Sequence, residues 1–189
     1  MPEIFKSEIH AGFKAKIKVS EHKTAKIIHL VSEKLLGFER VVIAYVMPHE
    51  KAELEIRLKW FGKQLMRQAH AIWLSMLPAR KNLSYVFTKL GEPVDPTDVV
   101  SRGARTLQAV ENVIVGNKVV IDNLDAPLVS PGQKSLLDFH DRLPDMNGGL
   151  HFNLYNNVWG TNFPMWFNDD MTFRFVIRRK QQKKTQQKS

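Results

Sequence analysis

AELEIRLKWF, residues 52–61, decides the fold. Leu54, Ile56, Leu58 and Trp60 alternate with Glu53, Glu55, Arg57 and Lys59. An extended chain points successive side chains to opposite faces, so this run predicts a half-buried strand with one dry face and one wet face. The run before it, FERVVIAYVM at 38–47, is rich in β-branched and aromatic residues and predicts a buried strand that Pro48 stops.

Working outward, the same period recurs. Phe13, Ala15, Ile17 and Val19 alternate with Lys14, Lys16 and Lys18, which predicts a half-buried strand with a solvated lysine row. KTAKIIHLVSEKLL at 23–36 fits either a helix or a short strand, and Gly37 ends it. KQLMRQAHAIWLSML at 63–77 carries Leu65, Met66, Ala69, Ile72, Trp73 and Met76 at helical spacing. SYVFTKL at 84–90 predicts a strand, and GEPVDPTDVV at 91–100, with two prolines, a loop. LQAVENVIVGNKVVIDNL at 107–124 predicts two strands about a two-residue Gly116-Asn117 turn that needs positive φ. DAPLVSPG at 125–132 predicts a loop, KSLLDFH at 134–140 a short strand, and MTFRFVIR at 171–178 a closing strand. Many short strands and few helices predict an all-β antiparallel sandwich. Residues 1–178 read as one β-sandwich domain, followed by a basic, disordered tail at 179–189.

GGLHFNLYNNVWGTNFPMWFNDDMTFRF at 148–175 mixes aromatic rings with amides. Its first strand predicts Leu150, Phe152 and Leu154 on one face and His151, Asn153 and Tyr155 on the other. Amides donate and accept hydrogen bonds at once, and flat rings pack on the C–H face of a sugar, so the mixture suits a neutral, hydroxyl-rich ligand. The candidate substrate-binding residues are Asn153, Tyr155, Asn156, Asn157, Trp159, Thr161, Asn162 and Trp166. The alternative is that the rings are core and the amides bind backbone groups to fix a sharp bend.

LHFNLYNNVWGTNFPMWF resembles the C-terminal signature of a largely uncharacterised group related to the family-38 glycoside hydrolases, the α-mannosidase-like enzymes. LKWFGK at 58–63, KLGEPVDPTDVVSRGARTLQAV at 89–110 and LDAPLVSPGQKSLLDF at 124–139 resemble the same group in the same order, so the likeness covers roughly residues 50 to 178. The resemblance implies a β-sandwich of the mutarotase-like, supersandwich type, and it implies a strand near Ile72–Leu77 in place of the helix that spacing allows. It also implies that a separate β/α barrel carries the zinc ion and the nucleophilic aspartate. No region here looks like that barrel. Ala69 and His70 stand where relatives tend to carry Pro-Glu, so any site using that acid is altered.

At 189 residues, 43% hydrophobic and 25% charged, the composition is that of a globular protein. No apolar run reaches the length of a membrane span, and MPEIFKSEIH has no apolar signal core, which predicts a cytoplasmic protein without a membrane partner. With 0 cysteines, disulfides and thiolate metal sites are excluded. The 7 histidines are scattered without ligand spacing, so no cofactor is expected in this chain; zinc would belong to the missing barrel. Asp169-Asp170 is the tempting carboxylate pair, but adjacent strand residues face apart, and turn residues are the better reading. No Gly-x-Ser-x-Gly elbow or phosphate-cradling loop is present, so no catalytic residue is assigned.

Three functions compete. The first is the C-terminal accessory or scaffold sandwich of a glycoside hydrolase-like protein, partnered by a catalytic barrel domain or a second copy of itself in a homo-oligomer. The second is a stand-alone carbohydrate-binding module with an exposed Trp or Tyr platform. The third, ranked last, is a basic nucleic-acid-binding domain, for which the net charge of +9 is the only support.

Overall fold

A computed structural model describes residues 14–33, 35, 37–136, 140–158 and 166–181. Thirteen strands occur among these: β1 (Lys16–Glu21), β2 (Ala25–Glu33), β3 (Arg40–Pro48), β4 (Glu53–Phe61), β5 (Ala71–Met76), β6 (Tyr85–Lys89), β7 (Glu92–Val94), β8 (Gln108–Ala109), β9 (Asn112–Val115), β10 (Val119–Asn123), β11 (Leu128–Pro131), β12 (Leu150–Asn156) and β13 (Met171–Arg179). One 3-10 turn, Met146–Gly148, is the only helical piece among the described residues. No helix there is long and apolar enough to cross a membrane.

The strands form two antiparallel sheets. Nine strands run in the order β1-β2-β3-β4-β13-β10-β9-β6-β7, and four in the order β5-β12-β11-β8. The sequence expectation of an all-β sandwich therefore holds. The alternation in β4 sets the core: Ile56, Leu58 and Trp60 are buried, while Arg57 and Lys59 are exposed. In register beside them, Phe173 sits opposite Leu58 and Phe175 opposite Ile56. The smaller sheet closes on this face with Leu150, Phe152 and Leu154 of β12 and Val129 of β11. Phe152 meets Phe175 edge-on with ring centroids 5.0 Å apart, and Trp60 lies 5.0 Å from Phe173. Burying aromatic side chains of this size supplies much of the apolar area that holds two sheets together.

The 23–36 ambiguity resolves as strand β2, and the strand implied near Ile72–Leu77 is found as β5, in place of the helix that spacing allows. Other local readings are corrected. β7 and β11 form where loops are expected, because Pro93 and Pro131 sit on short pieces paired on the side that does not need a proline N–H. The β9–β10 hairpin takes positive φ at Gly116 and Asn117 as expected, but Val115 pairs with Val119, leaving three residues rather than two outside the ladder. β1 is a strand, but its apolar residues are not half-buried: Ile17 and Val19 are 70% and 56% exposed on the edge strand of the larger sheet. β13 runs one residue past the closing strand expected at 171–178, since Arg179 pairs with Val119. The strand expected at 134–140 falls partly outside the described residues, as does Phe13.

Candidate functional site

The loop after β4 and the far end of β12 build the site. Gly62 turns the chain out of β4 at φ +58, a left-handed conformation that favours glycine, and the Glu39 side chain occupies the space a Cβ would need. The Gly62 N–H donates to Asp170 Oδ1 at 3.0 Å, and the Trp60 indole N–H donates to the Asp169 carbonyl at 3.2 Å. The two aspartates thus position the approach to β13.

On the other side, β12 carries a bulge. Asn153 pairs with Trp73, but Tyr155 pairs with Ile72, so Leu154 is the extra residue. An extra residue reverses the faces beyond it. Tyr155 therefore turns toward the core, next to Ile72, rather than sharing a face with His151 and Asn153. Leu150 to Leu154 are buried without a break, so β12 has no wet face over that span.

Tyr155 now stands at the centre of a cluster. The Lys63 ammonium lies 4.2 Å from its ring centroid, His70 stacks at 5.2 Å, and Phe167 lies at 6.5 Å. Lys63 is only 3% exposed. Its Nζ donates to the Phe167 carbonyl at 2.9 Å and toward the Gln64 carbonyl at 3.4 Å. Burial pushes the Lys63 amine below its ordinary pKa and the Tyr155 phenol above its own. A ring face and carbonyl dipoles solvate the cation there. Lys63 escapes sequence reading because the left-handed Gly62 breaks the alternation that would have placed it.

The amides divide their labour. Asn157 is buried; its Oδ1 accepts the His70 N–H at 2.7 Å, and its Nδ2 donates to the Met66 and Gln68 carbonyls at 3.1 and 3.0 Å. Asn156 Nδ2 donates to Asn153 Oδ1 at 2.8 Å, and Asn153 Nδ2 reaches the Tyr155 carbonyl at 3.4 Å across the bulge. Asn156 Oδ1 is buried without a hydrogen-bond partner. These groups fix the backbone around the bulge, as the bend alternative anticipates.

Trp166 faces outward. It is 41% exposed and, with Leu65, Met66 and Arg67, lines an open cleft of about 330 Å³. The Arg67 guanidinium stands 5.0 Å from its ring centroid. Of the eight candidates, Asn153, Tyr155, Asn156 and Asn157 gather at the end of β12, Asn157 bonds to the cleft residue Met66, and Trp166 lines the cleft. Trp159, Thr161 and Asn162 lie outside the described residues. Among the described residues, no group of three or more His, Asp or Glu converges in a way that could hold a metal ion.

No model of a known protein family matches this chain, and no curated protein matches it.

Proposed function

We propose that this chain is the accessory β-sandwich of a glycoside hydrolase-like protein and that it handles carbohydrate at the Trp166 cleft. The observation that carries this reading is an exposed indole at the mouth of an open cleft whose floor is fixed from below. Arg67 covers one face of the indole, and the other face offers a sugar's C–H groups an apolar platform. Arg67 gives the same cleft a fork of donors for ring hydroxyls. Behind it, Asn157 ties the 66–70 segment down, so the cleft is set before a ligand arrives, which lowers the ordering cost of binding.

The same cleft favours the second reading, a carbohydrate-binding module that works without a partner domain, because the platform belongs to this chain alone. Calorimetric titration of the 189-residue chain with neutral oligosaccharides tests both. Saturable binding that disappears in Trp166→Ala supports a sugar site here. Absence of heat with any neutral glycan overturns it. Aryl mannosides with added zinc form the control: turnover by the chain alone would place glycosidic chemistry in it and overturn the accessory role.

A further inference from the structure

A serine and a histidine meet on the outer side of the smaller sheet, away from the Trp166 cleft. Ser75 of β5 lies directly opposite His151 of β12 in the ladder, and its Oγ is 2.8 Å from His151 Nδ1. Ser75 is exposed at the sheet edge, while His151 is 6% exposed. The backbones of Gly132 and Gly148 lie beside the ring. In the tautomer that carries its proton on Nε2, Nδ1 faces Ser75 as an acceptor and the serine donates. Burial lowers the imidazole's pKa, and Lys134 is the charged neighbour acting in the same direction, so both favour the neutral ring. Glycine is required in the wall beside the ring, because a Cβ on Gly148 would run into the Gly132 carbonyl. Trp73 precedes Ser75 by two residues on the same strand face, and Leu77, 70% exposed, follows by two, giving the hydroxyl an apolar flank.

A hydroxyl within hydrogen-bond reach of a buried imidazole is an arrangement that can activate a nucleophile. We propose that Ser75 and His151 form an acyl-transfer site for small carboxylic esters, with Ser75 as nucleophile and His151 as general base. Ser75 Oγ bonds to the ester carbonyl carbon as its proton passes to His151 Nδ1. The ester C–O bond then breaks, and that proton leaves with the alcohol. Water attacks the acyl-serine, again giving a proton to His151, and releases the carboxylic acid and the free hydroxyl. The site stands independently of carbohydrate binding.

The test uses the full chain with a fluorophosphonate probe, mapped by mass spectrometry, and with p-nitrophenyl acetate hydrolysis. The expected result is a single adduct on Ser75 with loss of fluoride, absent in Ser75→Ala, an exposed substitution that leaves the core untouched. Hydrolysis should fall by on the order of 10²-fold in His151→Gln, the usual contribution of a positioned base. If that variant does not fold, the pH profile of the unaltered chain decides: the labelling rate should rise with a single ionisation below the ordinary histidine range. Labelling spread over many serines, no label on Ser75, or a hydrolysis rate unchanged in Ser75→Ala would each overturn the proposal.

Discussion

Asn157 holds His70 from both sides: the His70 N–H donates to Asn157 Oδ1 at 2.7 Å, and the Asn157 N–H donates to the His70 carbonyl at 3.2 Å. This reciprocal pair spans 87 residues of sequence. It fixes the segment that carries Arg67 and the cleft wall to the end of β12. Because Lys63 and Trp60 tie the approach to β13 onto the neighbouring stretch, both flanks of 159–165 rest on residues 60–70.

Asn157→Ala removes three side-chain hydrogen bonds and leaves the Met66 and Gln68 carbonyls and the His70 N–H without their partner. At about 1 kcal/mol for each net bond, with more where a buried group is stranded, the expected loss is roughly 3 kcal/mol of stability. Urea unfolding should show a lower midpoint with an unchanged slope. A loss below about half of one bond's contribution would mean that water replaces the amide.

Phe152→Ala empties the centre of the sandwich. Phe152 is 0% exposed and meets Phe175 edge-on. Deleting an aromatic side chain at such a site costs about 3–5 kcal/mol from lost transfer energy and the cavity left behind. Thermal melting should show a large drop, and Phe152→Leu should recover much of it. Equal melting temperatures for Phe152→Ala and the unaltered chain would contradict the two-sheet core.

Gly148→Ala should damage the wall over His151. The added methyl group meets the Gly132 carbonyl, a backbone atom that cannot rotate away. Overpacking of this kind costs typically about 1–3 kcal/mol. Gly91→Ala is a control for the loss of glycine alone, since open space surrounds that position and only its φ of +81 resists substitution. The larger loss is expected for Gly148.

Stability should fall in mild acid through His151. Its folded pKa lies below the ordinary 6.5 because burial disfavours the charged ring. Between those two values the unfolded chain binds the proton and the folded protein does not. Stability therefore falls as pH drops below 6.5 and stops falling from this source below the depressed folded value. Urea midpoints at neutral and mildly acidic pH, compared with those of His151→Gln, isolate the effect. A pH dependence identical in both proteins would remove His151 as its source.

The strands were legible because period two is written locally. Leu54, Ile56, Leu58 and Trp60 needed no partner to reveal one buried face. β1 reads equally well as a strand, yet Ile17 and Val19 stay exposed, since alternation predicts a dry face but not whether another layer covers it. The candidate site was half legible. Trp166 and the amide run stand out by composition; Lys63 does not, because nothing near it in sequence says that Phe167 and Tyr155 will surround it.

By itself, then, the sequence determined the all-β class, most of the strands and the inward face of β4, because burial on alternate positions is a local demand on side-chain type. Only the tertiary structure decided the rest. The bulge that turns Tyr155 inward, the register that sets Ser75 against His151, and the bonds from Asn157 to residues 66–70 all depend on which strand lies beside which. Those pairings join residues 76 to 91 positions apart, where no local pattern specifies the partner. Closing such loops costs entropy that only the packed core of both sheets together offsets.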